Sequence, residues 1–114
     1  MPSTVFPIVT FETYIGTRMQ PVSGPPLDAL ITCSGPNHEQ FTLLFYSTGS
    51  SIPINEAKVN PIMGTISFPR ESFTWCLDAL RNERCSALID PSAPQNNRII
   101  FAAPAAWGHF ETLT

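Results

Sequence analysis

The sequence predicts an α+β fold, a mainly antiparallel β-sheet of about six or seven short strands with one amphipathic helix packed on it. Three observations support this fold class. The 12 prolines recur along the chain and divide it into short pieces. Many of these pieces are rich in β-branched and aromatic residues, which are typical of strands. Only one stretch, near residues 69 to 83, has apolar residues at helical spacing.

The first half of the chain contains three predicted strands. "TVFPIVTFETYIG" is the first, and its proline restricts the amino-terminal half to an edge strand or a bulge. The loop "RMQPVSGPP" separates it from "LDALITCS", and "GPN" separates that strand from "EQFTLLFYS". In the last of these, both faces are largely apolar, which predicts a central strand: Phe41, Leu43 and Phe45 on one face, Leu44 and Tyr46 on the other.

The second half adds shorter strands around the helix. "SIPINEAKVNP" is a loop or a short irregular strand, and "IMGTISF" is a strand with Ile62, Gly64, Ile66 and Phe68 on one face. After the helix, "CSALID" and "RIIFAA" form a hairpin whose loop, "PSAPQNN", is too long for a tight turn. The chain is interpreted as a single domain over residues 1–114, with a flexible or docked tail at 104–114.

The predicted helix spans about residues 69–83. Pro69 suits the first helical position, and Glu71 near the start with Arg81 and Arg84 near the end match the helix dipole. One stripe of the helix is apolar and should face the sheet, with a cysteine among its small core residues: Phe73, Cys76, Leu77 and Leu80.

Trp75 does not fit this apolar stripe. At about 100° per residue it lies about 150° from the centre of the stripe, beside Asp78 and Asn82. One interpretation is that a neighbouring loop covers it, such as the carboxyl-terminal tail with Trp107 and Phe110. The other is that Trp75 contacts another chain, because tryptophan is enriched at interface hot spots. The predicted partner-binding residues are Trp75, Asp78, Asn82 and Trp107.

The charge of the chain bears on its partners. Nine acidic and six basic residues give a net charge of -3, and the bases are scattered, so there is no basic stripe for nucleic acid and no polybasic segment for a membrane surface. Only 13% of the residues are charged. Such a surface favours self-association or a protein partner.

The cysteines and the amino terminus bear on the compartment. The first ten residues lack the charge and apolar run of a secretory signal, and no apolar run reaches the ~20 residues of a membrane helix. Cys33, Cys76 and Cys85 are therefore interpreted as reduced thiols of a cytoplasmic protein.

The sequence contains no catalytic, cofactor or metal motif. His38 and His109 have no second ligand at metal-binding spacing, so no metal and no cofactor is predicted. Arg81 and Arg84 could lower the pKa of Cys85, although the carboxyl end of the helix opposes a thiolate. A small enzyme that uses a cysteine or histidine is one alternative function.

A second alternative is single-stranded nucleic-acid binding. The order of several strands and then one helix, over residues 28 to 90, is similar in outline to the PUR-repeat and Whirly domains. That resemblance implies aromatic and basic side chains together on a sheet. Tyr14, Phe41, Phe45 and Tyr46 could stack bases, but basic partners are missing. The leading hypothesis is a non-enzymatic, self-associating protein-interaction or accessory domain.

Overall fold

The computed structural model describes residues 3–19, 24–59 and 61–102. It confirms the α+β fold class, with eight strands in two mostly antiparallel sheets and one helix packed on them. The strands are β1 (Thr4–Pro7), β2 (Thr10–Met19), β3 (Leu27–Ser34), β4 (Gln40–Tyr46), β5 (Ala57–Val59), β6 (Ile62–Pro69), β7 (Arg84–Ile89) and β8 (Arg98–Ala102), and the helix is α1 (Phe73–Asn82).

The strands form a three-stranded sheet in the order β1-β7-β8 and a five-stranded sheet in the order β2-β3-β4-β6-β5. All pairs are antiparallel except β4 with β6, which run parallel. The sequence predicted about six or seven strands and did not predict the second sheet or the parallel pair. The predicted hairpin of β7 and β8 is confirmed.

The chain changes sheets between Ile8 and Val9. The Ile8 backbone N–H donates to the Cys85 carbonyl of β7 at 3.0 Å, whereas the Val9 N–H donates to the Ser34 carbonyl of β3 at 2.9 Å. The single strand expected here is therefore two strands in different sheets. β1 lies at an edge, as its proline predicted, because proline cannot donate to a further strand.

β4 is the central strand of the five-stranded sheet, as predicted. Phe41, Leu43 and Phe45 are fully buried on its inner face. The Phe45 ring stacks on Phe68 of β6, with 5.4 Å between ring centroids, and meets Phe73 of α1 edge-on at 5.2 Å. These contacts pack the start of α1 against the sheet.

The helix follows β6 through one 3-10 turn at Arg70–Ser72. Pro69 was expected as the first helical residue, but its ψ of 154° makes it the extended last residue of β6. Its fixed φ suits a strand end as well as a helix start. Arg81 lies in the last helical turn, whereas Arg84 already belongs to β7. Within the described ranges no helix has the length and apolarity to cross a membrane.

The predicted apolar face of α1 is confirmed. Cys76 and Leu80 are buried in the core, Ala79 is buried beside them, and Phe73 and Leu77 pack against the core. The inner face of the three-stranded sheet contributes Ala87 and Ile89, among others, to the same core. The helix and the three-stranded sheet therefore both pack against the inner face of the five-stranded sheet.

A buried asparagine joins the two sheets. Asn97, just before β8, donates through Nδ2 to the carbonyls of Glu56 and Thr65 at 2.9 and 3.0 Å. Its Oδ1 accepts from the Asp90 backbone N–H at 2.9 Å. These bonds connect the end of β7 and the start of β8 to the β5–β6 edge.

We expect Asn97→Ala to lower the free energy of unfolding by about 1–3 kcal/mol, because it removes three hydrogen bonds of a buried side chain. The neighbouring Asn96 is exposed, and Asn96→Ala should change stability by no more than about 0.5 kcal/mol. Urea unfolding of both variants measures the difference. Equal, small effects would show that the bridge contributes little.

Candidate functional site

Trp75 lies on the outer side of α1 with 61% of its surface exposed. Among the described residues nothing covers most of the indole, which agrees with its predicted place outside the apolar stripe. The indole meets the Phe101 ring of β8 edge-to-face, with 5.4 Å between ring centroids and an interplanar angle of 89°. This contact covers one side of the indole, and the other described residues leave most of its surface exposed.

An apolar groove lies beside this pair, between β6, α1 and β8. Its volume of about 210 Å³ is below the ~300–1,000 Å³ of typical small-molecule sites. Six of its eight lining residues are apolar, which favours apolar side chains as occupants: Ile66, Phe68, Trp75, Cys76, Asn97, Arg98, Ile99 and Phe101.

β8 gives the groove a free strand edge. Ile99 and Phe101 are two residues apart and therefore lie on the same face of β8, towards the core and the groove. β8 pairs with β7 on one side, and no other described strand pairs with it. The outer backbone donors and acceptors of β8 are thus not paired with any other described strand.

The other predicted partner-binding residues are less closely associated with Trp75. Asp78 and Asn82 are exposed on α1, where the Asn82 side-chain amide donates to the Asp78 carbonyl at 2.9 Å. Neither residue lines the groove. Trp107 lies outside the described residues, so the interpretation that the tail covers Trp75 stays a prediction.

Sequence reasoning missed the β8 side of this site. The alternation of Ile99 and Phe101 in "RIIFAA" predicted a strand, but nothing in the sequence indicated that the strand would face Trp75. That juxtaposition depends on how the three-stranded sheet packs over the helix.

The three cysteines are free and buried. Burial raises the pKa of Cys33 to about 12 and the pKa values of Cys76 and Cys85 to about 11. For Cys85 the nearby Glu83 carboxylate adds to the increase. The possibility that Arg81 and Arg84 activate Cys85 is therefore contradicted, because the loss of water around the sulfur favours the protonated thiol.

The residues considered for metal binding and base stacking do not come together. No group of three or more His, Cys, Asp or Glu side chains in the described part of the chain could hold a metal ion. His38 lies in a turn with a φ of 67°, and His109 is outside the described residues. Of the sheet aromatics, Phe41, Phe45 and Tyr46 are buried, which leaves Tyr14 exposed.

A second concavity of about 290 Å³ adjoins the end of β2. Here Asp28 of β3 accepts from the Ser47 hydroxyl at 2.6 Å and from the Arg18 N–H at 3.1 Å, and it lies 3.7 Å from the Arg70 guanidinium. The hydroxyl bond, followed by the N–H bond, lowers the pKa of Asp28. These bonds hold the bulge of β2 against β3, a role the sequence did not predict.

Comparison with protein-family models, with curated proteins and with solved structures gives no match to this chain.

We expect Trp75→Ala to fold normally and to lose about 0.5–1.5 kcal/mol of stability, the energy of an aromatic pair. Leu80→Ala, on the buried side of the same helix, should cost about 2–5 kcal/mol. Urea unfolding of the two variants measures the difference in their free energies of unfolding. A loss for Trp75→Ala as large as that for Leu80→Ala would place the indole in the core.

We expect all three thiols to react slowly and at similar rates with a thiol reagent at neutral pH, because folding protects them. The urea-unfolded chain should react rapidly and serves as the control. Fast labelling of Cys85 alone would contradict its burial and would support a nucleophilic role for this thiol.

The thiols should also make stability depend on alkaline pH. Their folded pKa values lie above the ordinary value of 9.0, so the unfolded chain loses thiol protons first as the pH rises. Their contribution is complete below about pH 9 and is lost as the pH approaches 11 to 12. Urea midpoints measured across this range, with Cys76→Ala as a comparison, report the effect.

Proposed function

We propose that this chain is a non-enzymatic protein-interaction domain that binds an extended segment of a partner protein beside Trp75. A second part of the proposal is that the domain self-associates. The observation that carries the binding role is the combination of an exposed tryptophan, an apolar groove and a free strand edge in one place.

The free edge of β8 suggests how a partner binds. An extended segment that pairs with β8 would satisfy backbone donors and acceptors, and its alternate side chains would enter the groove. Phe68 and Phe101 provide apolar contact there, and the exposed Trp75 forms another part of the wall. This mode requires no catalytic group and agrees with the burial of the three thiols.

Charge restricts the partner class. Arg98 is the only charged residue among those that line the groove. A partner segment with alternating apolar residues and an acidic residue near Arg98 would match these walls. The scattered bases and the net charge of -3 give no comparable match to a nucleic-acid backbone.

We expect a random peptide library displayed on phage to yield binders with alternating apolar residues. Trp75→Ala should weaken the selected peptides at least about tenfold, corresponding to a loss of about 1.4 kcal/mol. Val5→Ala is the matched control, because Val5 is exposed and apolar but lies on β1, which β7 separates from β8. Fluorescence titration measures the affinities.

Two results would count against the groove. No enrichment over an unrelated protein would remove peptide binding as its role. Equal binding to the unmodified chain and to Trp75→Ala would place the peptide site elsewhere on the surface.

A further inference from the structure

The free edges of the two sheets differ in how far they are protected from pairing with another strand. β1 has four residues and includes Pro7, and β5 has three residues with Lys58 at the centre. Short length, proline and charge are the usual devices that prevent edge pairing, and they protect β1 and β5. β8 has five residues, and its free edge is the one assigned above to a partner segment. The fourth edge, β2, has ten residues and no proline.

The regular part of β2 is its first six residues. Thr10–Ile15 pair with β3 without interruption, and the register then shifts between Ile15 and Met19. Arg18, in this bulge, has a φ of 48°, and its N–H is bonded to Asp28. The bulge therefore ends a straight strand whose outer edge is unpaired in the described structure.

This strand is exposed on both faces. Ile15 lies opposite the buried Ala29, so it points to the inner face, yet 72% of its surface is exposed. Tyr14 lies on the outer face and is 49% exposed. The three-stranded sheet and α1 therefore do not cover the inner face as far as Ile15.

We infer that β2 pairs antiparallel with β2 of a second copy of this chain, about a two-fold axis at Thr13. The two five-stranded sheets then join into one continuous sheet. This inference rests on the self-association part of the proposed function, and it does not depend on peptide binding beside Trp75.

The position of the axis follows from strand geometry. A two-fold axis perpendicular to the sheet places residues of the same face opposite each other. With the axis at Thr13, Phe11 lies opposite Ile15 of the second copy on the inner face, and Glu12 lies opposite Tyr14 on the outer face. The first pair covers the exposed isoleucine with an aromatic ring, a favourable cross-strand combination.

The chemistry of the outer pair is already present within one chain. The Tyr14 hydroxyl donates to the Glu12 carboxylate at 2.8 Å. In the dimer each hydroxyl can reach a carboxylate of the second copy instead.

Neighbouring axis positions are less favourable. An axis at Glu12 would place two carboxylates opposite each other, which is destabilising. An axis at Ile15 or beyond would run into the bulge.

The test is the solution mass of the full chain by light scattering over a range of concentrations. The unmodified chain should be a dimer. Ile15→Asp and Thr13→Lys should remain folded and weaken the dimer at least about tenfold. Thr13→Lys places two like charges opposite each other at the axis, and Ile15→Asp places a charge against the ring of Phe11 of the second copy. Ile54→Asp, a change of an exposed apolar residue outside β2, should leave the dimer intact.

Trp75→Ala distinguishes self-association through β2 from self-association through the groove beside Trp75. It should remain a dimer even where it no longer binds the selected peptides. A dimer that is lost in Trp75→Ala but retained in Ile15→Asp would overturn the β2 contact and move self-association to the groove. A monomeric unmodified chain at all concentrations would overturn the β2 contact directly and leave peptide binding unaffected.

Crosslinking tests the register, and it remains informative if the charged variants fail to fold. Thr13→Cys should give a disulfide-linked dimer under a mild oxidant, because opposite residues of antiparallel strands lie within disulfide distance. Val59→Cys, on the β5 edge, is the control and should not crosslink. A dimer that Thr13→Cys does not crosslink would overturn the axis at Thr13.

Discussion

The burial of β4 is the constraint on which the remaining structure depends. Its inner face is fully covered because the five-stranded sheet packs against both α1 and the three-stranded sheet. Phe45 is central to this arrangement, since its ring touches a phenylalanine of β6 and another of α1. Once those rings meet, the rotation of the helix is set, and Trp75 is left on the side away from the core.

The two layers differ in width, and this difference produces both candidate interaction surfaces. Three short strands and a ten-residue helix cover the centre of the five-stranded sheet but not its whole inner face. At one side the uncovered part includes Ile15 of β2. At the other side β8, α1 and β6 leave the groove beside Trp75. Buried asparagine bonds near this second side hold the layers together there and keep the β8 edge in a defined place.

The positions of the ionisable groups support the proposal of an interaction role over a catalytic one. The thiols are buried in the core, where the loss of water stabilises their protonated form. Asp28 is ionised and bonded to its neighbours, and its interactions hold the β2 bulge in place. The two candidate surfaces are instead mainly aromatic and aliphatic, and each lies at a strand edge that no other described strand pairs with. Such surfaces bind other polypeptides through backbone pairing and apolar burial.

Local pattern determined most of the secondary structure. Alternating apolar residues specified β3, β4, β6 and the β7–β8 hairpin, and helical spacing specified the buried face of α1 and the exposure of Trp75. Each of these features depends on residues that are close together in the sequence. Pro69 was misplaced because a proline fits both the end of a strand and the start of a helix.

Tertiary packing decided the division into two sheets, the parallel pairing of β4 with β6, and the meeting of Trp75 with Phe101. Each joins segments far apart in the chain, and strand periodicity records which face of a strand is buried but not which strand lies beside it. The same limit applies to the pKa values of the cysteine thiols, because burial by strands that are distant in the sequence determines them. The sequence thus identified the tryptophan that needed an explanation, and only the folded chain showed the groove and the strand edge beside it.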